Sequence, residues 1–196
     1  MRRINEIFYS LQGEGANTGV QAVFVRFSGC NLRCAFCDTH HESGTMMSDE
    51  EIVAEVCRYQ EARIVVLTGG EPSLHIDAAF VAKLKQASGK TIAIETNGTR
   101  LLPEGIDWVT LSPKSGFDGG DLQPVVLSEC DELKVVYQGQ PLDGYFGIKA
   151  KQYFLQPCYC SDEEARAANL RATIEAVMSD SRWRLSLQTH RIAGIR

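Results

Sequence analysis

Apolar residues along this chain fall in short runs, and seven of them read as β-strands: residues 22–28, 64–68, 91–95, 108–111, 132–137, 153–156 and 185–188. Three other stretches carry a helical period. Ser48, Asp49, Glu50 and Glu51 form a capping box that opens an amphipathic helix to about Gln60. Ser161, Asp162, Glu163 and Glu164 open another to about Met178, and a third covers residues 76–87. Between Ser112 and Glu129, and between Gly139 and Lys151, Gly, Pro and Asp break any period and predict loops or short turns. Strands alternating with helices imply parallel pairing through right-handed crossovers, so the sheet should curl toward a barrel with its connections outside. The 196 residues fall short of the roughly 250 that eight βα units occupy. The expected fold is therefore α/β: a partial, reduced parallel (βα) barrel of about six strands and three helices, in a single domain over 1–196.

Composition adds exclusions. An apolar content of 44% with 23% charged residues is that of a water-soluble globular chain, and no apolar run reaches the roughly 18 residues of a membrane span. Met1, Arg2, Arg3, Ile4, Asn5 and Glu6 lack the apolar core of a secretory signal, which predicts a cytoplasmic protein. The net charge is −5 and the Lys and Arg residues are dispersed, which argues against a nucleic-acid platform and for a small-molecule substrate.

Seven cysteines without an export signal fit a reducing compartment and metal binding better than disulfides. Cys57, within a helical pattern, and Cys130, beside a strand, read as small buried hydrophobes. Cys30, Cys34 and Cys37 differ, because one loop after the first strand carries all three. Thiolates are the usual ligands of iron–sulfur clusters, and three of them leave one iron of a four-iron cluster open for chemistry. On spacing alone, a zinc site completed by His40 or His41 remains an alternative.

Polar clusters follow the other strands. Thr68, Gly69, Gly70, Glu71 and Pro72 end the second, Glu95, Thr96, Asn97 and Gly98 the third, Ser112, Pro113 and Lys114 the fourth, and Gln156 and Pro157 the sixth. In a parallel barrel the carboxyl ends of the strands share one face, so these clusters form one site more economically than several surface turns. The C-x3-C-x2-C spacing, with Phe36 just before the third cysteine, and the GGE segment at Gly69, Gly70 and Glu71 resemble the signatures of the radical S-adenosylmethionine (SAM) superfamily. That resemblance implies a 4Fe–4S cluster on Cys30, Cys34 and Cys37, whose open iron takes SAM.

Phe8, Tyr9, Ser10, Leu11, Gln12, Gly13, Glu14 and Gly15, read without that context, are a polar turn with two glycines, its Gln and Glu solvated. With Arg26, with Cys37, Asp38 and Thr39, and with Gln188, Thr189, His190 and Arg191, they resemble the 7-carboxy-7-deazaguanine synthases, from residue 4 to the end of the chain. The resemblance implies conversion of 6-carboxy-5,6,7,8-tetrahydropterin to 7-carboxy-7-deazaguanine with loss of ammonia, a step of queuosine and 7-deazapurine biosynthesis. It further implies regenerated SAM, required Mg2+, a homodimer and an external electron donor of the flavodoxin kind.

Carried over by position, the resemblance assigns the pterin to Leu11, Gln12 and Gly13, with polar contacts from Glu14, Arg26 and Thr68. Gln and Glu match the donors and acceptors of a pterin edge, and the guanidinium fork of Arg26 suits the substrate carboxylate. Arg196 and His190 are placed near the substrate, although a lone His at a strand end is otherwise structural. SAM is assigned to Phe36, Cys37, Asp38, Gly70, Glu71, Ser112, Pro113, Lys114, Gln156, Pro157, Cys158 and Tyr159. Thr39 is the expected Mg2+ ligand, otherwise a hydroxyl in a turn; Mg2+ commonly takes few protein ligands. Two cysteines are not expected in that SAM-facing segment, and the thiols of Cys158 and Cys160 read as ordinary loop side chains or as an additional metal site. Arg191 stands where relatives often carry lysine. Two rivals remain: a small radical SAM activase acting on a partner protein, and a non-catalytic zinc module.

Overall fold

The structure, a computed structural model, describes residues 1–114 and 124–196. Its β-strands are β1 Arg2–Leu11, β2 Gln21–Phe27, β3 Thr45–Met47, β4 Ile64–Gly69, β5 Thr91–Thr96, β6 Trp108–Leu111, β7 Glu129–Tyr137, β8 Lys149–Pro157 and β9 Trp183–Leu185. The α-helices are α1 Asp49–Cys57, α2 Ala78–Ser88, α3 Glu163–Ser179 and α4 Thr189–Ala193. One sheet runs in the order β3-β1-β2-β4-β5-β6-β7-β8-β9. From β2 to β9 every pairing is parallel, whereas β1 pairs antiparallel with both β2 and β3. The sheet is therefore the expected partial (βα) barrel, with seven parallel strands and an antiparallel margin of two more among the described residues.

Period-two alternation sorts the strand residues to two faces. Val23, Val25, Phe27, Val65, Leu67, Ile92 and Ile94 face outward and pack on Ile52 and Val56 of α1 and on Phe80, Val81 and Leu84 of α2. Farther round, Leu111, Leu133, Val135, Leu155 and Trp183 pack with Tyr145, and Ala176 and Val177 of α3 lie against them. On the inner face Phe8, Phe24, Val66 and Ala93 form an apolar base. The inner positions toward the strand ends are Arg26, Thr68, Glu95 and Lys134, so the interior passes from apolar to charged along the strands.

β1 has no counterpart among the predicted strands, and its register explains why. Pairing with β2 shifts between Ile4 and Glu6. Ile4 and Ile7, an odd number apart, consequently pack on the same core, and the alternation that marks a strand is broken. Ser48 caps α1 as predicted: the Glu51 N–H donates to Ser48 Oγ (3.2 Å) and the Ser48 N–H donates to Glu51 Oε2 (2.6 Å). At α3 the cap is Asp162 rather than Ser161, since the Asp162 carboxylate accepts from the Ala165 N–H (2.7 Å). Between 139 and 151 the expected irregular segment contains a 3-10 turn, Asp143–Tyr145, and gives way to β8 at Lys149, earlier than expected; the predicted loop from 112 to 129 lies partly outside the described residues. The last strand is Trp183–Leu185 rather than 185–188, and His190 accordingly sits on α4, not at a strand end. Cys57 and Cys130 are half-buried rather than enclosed, Cys130 packing beside Leu133 and Val135.

The segment after β9 returns to the turn between β1 and β2. The Gly15 N–H donates to Ser186 Oγ, and the Thr189 N–H donates to Gly13 O, both at 2.9 Å. No described helix is long and apolar enough to cross a membrane.

Candidate active site

A cavity of about 730 Å3 opens at the carboxyl ends of the parallel strands. Its walls include Leu11, Gln12, Gly13, Glu14, Arg26, Thr68, His190 and Arg196. Cys30, Cys34, Phe36, Cys37, Asp38, Thr39, Gly70, Glu71, Ser112, Lys114, Gln156, Pro157 and Tyr159 line it as well. Of the residues singled out from the sequence, Pro113 and Cys158 are not in the wall. Cys158 is buried behind it, with its carbonyl accepting from Asn169 Nδ2 at 2.9 Å.

The cysteine loop is fixed from both sides. The Gly29 N–H donates to His41 O (2.9 Å), and Ser28 Oγ donates to Ser43 O (2.5 Å). Asn31 Nδ2 donates to Thr99 Oγ1 (2.8 Å), and Asn31 Oδ1 accepts from Asn97 Nδ2 (3.1 Å). The loop packs backbone to backbone on the GGE segment: a Cβ on Gly70 would lie 1.9 Å from Gly29 O, so only glycine fits. Glu71, 1% exposed, accepts from the Ser73 N–H (3.0 Å), Thr96 Oγ1 (2.7 Å) and the Asn97 N–H (2.8 Å). A carboxylate has about four acceptor sites, so Glu71 mainly ties the second strand end to the third and keeps about one free.

The donor set suits an iron–sulfur cluster. All seven cysteines are free thiols, and the loop's three line one cavity. The Leu32 N–H points at Cys30 Sγ (3.4 Å), the kind of contact that stabilises sulfur ligands. Burial pushes the Cys30 and Cys34 thiols up, with the nearby Lys114 ammonium opposing the rise at Cys34; ligation there releases protons. Among the described residues no three His, Cys, Asp or Glu side chains converge on a single metal ion.

Two charged clusters face each other across the remaining cavity. Glu6 accepts from Arg26 Nε (2.9 Å) and also pairs with Arg196, and both guanidinium groups lie over the Phe8 ring. Two cations on one carboxylate make that wall receptive to an anion. The opposite cluster centres on Lys134, whose Nζ lies 2.5 Å from Glu14 Oε2 and 3.5 Å from Glu95 Oε1. Burial would raise the Glu14 carboxyl, but Lys134 and hydrogen bonds outweigh it and bring it to about 2. Burial likewise disfavours the Lys134 ammonium, yet Glu14, Glu95 and Glu132 hold its proton above the ordinary lysine range. Lys114 moves the other way, lowered by burial and then by Lys134.

The chain end closes this wall. Gln188 Nε2 donates to Glu14 Oε1 (2.9 Å) and Asp38 Oδ2 (3.0 Å), and Arg191 donates to Asp38 Oδ2 (2.9 Å) while lying over the Tyr159 ring. His190 covers Gly13 so closely that a Cβ there would meet Nδ1 at 2.3 Å. Sequence reasoning had no role for Glu6, Phe8, Phe24 or Lys134, and passed over Glu95, Gln188 and Arg191 as single contacts. The signal for Lys134 was a charge inside the apolar run of β7, on the inward parity of the strand.

Residues 24–127 match the radical SAM superfamily. A 7-carboxy-7-deazaguanine synthase of Bacteroides thetaiotaomicron is 56% identical over 196 residues, covering 100% of both chains. One of Caulobacter vibrioides is 38% identical over 215 residues, covering 98% of each. The crystal structure of QueE from Escherichia coli superposes with a TM-score of 0.72 at 30% identity, over 95% of this chain and 93% of that one. With a cysteine loop, a GGE segment and a charged cavity at one end of a partial barrel, and with relatives matched from end to end, the chain belongs to the 7-carboxy-7-deazaguanine synthase family of radical SAM enzymes.

Proposed function

We propose that this chain contracts the ring of 6-carboxy-5,6,7,8-tetrahydropterin to 7-carboxy-7-deazaguanine with loss of ammonia, as a lyase of queuosine and 7-deazapurine biosynthesis. The observation that carries the reading is one cavity that joins the three-thiol loop to the Gln12, Glu14 and Arg26 set. Membership in the family removes the zinc module and the activase as rivals.

Cys30, Cys34 and Cys37 would hold the 4Fe–4S cluster. SAM would lie along Phe36, Cys37, Asp38, Gly70, Glu71, Ser112, Pro113, Lys114, Gln156, Pro157 and Tyr159, with Cys158 behind them. When bound, cluster and SAM supply a carbon-centred radical able to take a hydrogen atom from C6 of the pterin. The chain's own work is placement. Arg26 and Arg196 receive the substrate carboxylate, where a guanidinium fork gives paired, charge-assisted hydrogen bonds. Leu11, Gln12, Gly13, Glu14, Thr68 and His190 frame the ring system. The strap from Gln188 to Arg191 covers the site and excludes water. Thr39, half-buried in the wall, is the Mg2+ ligand of this reading, with substrate oxygens and waters completing an octahedron. A homodimer, a flavodoxin-type donor and a cytoplasmic location complete it by likeness to the family.

Equilibrium binding of the pterin to the cluster-loaded protein, with and without Mg2+, tests the substrate. Saturable binding strengthened by Mg2+ and weakened by Arg26→Ala is expected. Absence of binding at millimolar pterin overturns the assignment.

A further inference from the structure

We propose that Lys134 is a positioning residue of this site: it fixes Glu14 and Glu95 as a separated pair of charged carboxylates across the cavity floor, facing the hydrogen-bond donors of the pterin ring. The inference rests on the pterin reading above and assigns the role to a residue with no chemistry of its own in it.

β7 alternates Glu132, Lys134 and Val136 with Leu133 and Val135, and the second set lies in the outer core. Lys134 is 4% exposed, so its ammonium has given up water and needs a substitute. One carboxylate is enough for a buried ion pair. Here two carboxylates from different parts of the chain, Glu14 from the turn after β1 and Glu95 from β5, meet the same Nζ.

Each is also held at its far side. Glu14 Oε1 accepts from Gln188 Nε2 (2.9 Å), and Glu95 Oε2 accepts from Thr68 Oγ1 (2.9 Å), while Gln12 Nε2 donates to Glu95 Oε1 (3.1 Å). Both carboxylates line the cavity and keep acceptor capacity beyond these bonds. A 2-amino-4-oxopyrimidine edge presents its 2-amino group and the adjacent ring N–H side by side as donors, the complement of such acceptors.

Other charged groups bear on the pair. Glu132, whose Oε2 accepts from the Ala16 N–H (2.9 Å), adds a third carboxyl from β7, and Lys114 faces Glu14 from the end of β6. Burial pushes the Glu132 carboxyl up, and the Lys134 ammonium opposes that rise. Without Lys134, Glu14 loses the charge that holds its carboxyl down against burial, and it takes up a proton more readily.

The test compares Lys134→Met and Lys134→Arg with the wild type, all cluster-loaded, by pterin binding and by steady-state turnover from about pH 6 to about pH 8. Wild type should show flat affinity over this range. Lys134→Met should lose about tenfold or more in pterin affinity, with a further loss approaching about tenfold per pH unit on acidification. Its pterin KM should rise more than its kcat falls, with iron content and SAM binding unchanged. Lys134→Arg, which keeps the charge, should restore the flat profile.

Wild-type affinity and a flat profile in Lys134→Met overturn the inference. Failure of the wild-type protein to bind pterin overturns the substrate reading instead. If Lys134→Met does not fold, Lys134→Gln, which keeps a hydrogen-bond donor without the charge, replaces it: binding at least about tenfold weaker than wild type that weakens further on acidification supports the role, and wild-type binding with a flat profile refutes it.

Discussion

Glu14 shows how one side chain ties stability to the site. Its folded carboxyl titrates at about 2, below its ordinary value of 4.5, because Lys134 overcomes the opposing effect of burial. A depressed carboxyl contributes stability that is present above the unfolded value and is lost as pH falls through the folded one. Urea denaturation should therefore show stability falling between about pH 4.5 and about pH 2, with a shallower fall in Glu14→Gln; equal slopes would contradict the pairing. Arg26→Ala should raise pterin KM about tenfold or more while the reconstituted cluster keeps its absorbance. Thr39→Ala should weaken the response of turnover to added Mg2+, and an unchanged Mg2+ titration would remove Thr39 from that role. At Gly70 the obstacle is backbone, since the added Cβ meets Gly29 O at 1.9 Å. Gly70→Ala should lower stability by about 1–3 kcal/mol and reduce iron loading, because the two loops it separates carry Cys30 and Glu71.

At the scale of elements, local signals were readable wherever one rule acted alone. The reciprocal hydrogen bonds of Ser48 and Glu51 were legible from residue spacing, and Ser48→Ala should cost about 1 kcal/mol in chemical denaturation without altering turnover. Where rules competed, the reading slipped. At the start of α3 both Ser161 and Asp162 can cap, and the carboxylate of Asp162 does so. β1 was hidden by the irregularity between Ile4 and Glu6, and β3 is only three residues long. After β9 the chain turns at Ser186, whose Oγ donates to Gln156 Oε1 (2.8 Å), so residues 186–188, where alternation had suggested strand, are irregular and lead into the short α4. That turn brings Gln188, His190 and Arg191 onto the cavity, a placement that depends on contacts far apart in the chain.

For the whole molecule, strand order follows chain order from β4 onward, so the polar clusters at successive strand ends share one face, and the outline of the site was legible before any coordinates. What was not legible is the charge balance inside it. Glu6, Glu95 and Lys134 come from β1, β5 and β7: the β1–β2 register sets Glu6 opposite Arg26, whereas only the assembled fold brings Arg196 to Glu6 and Lys134 to Glu14 and Glu95. In the proposed reaction this cavity brings a regenerated SAM and a pterin together for ring contraction. Anaerobic incubation of the reduced, cluster-loaded protein with SAM, Mg2+ and 6-carboxytetrahydropterin, with 7-carboxy-7-deazaguanine counted against SAM consumed by mass spectrometry, tests it most directly. Many turnovers of deazaguanine for each SAM lost is the predicted result; 5′-deoxyadenosine accumulating with no deazaguanine would contradict it.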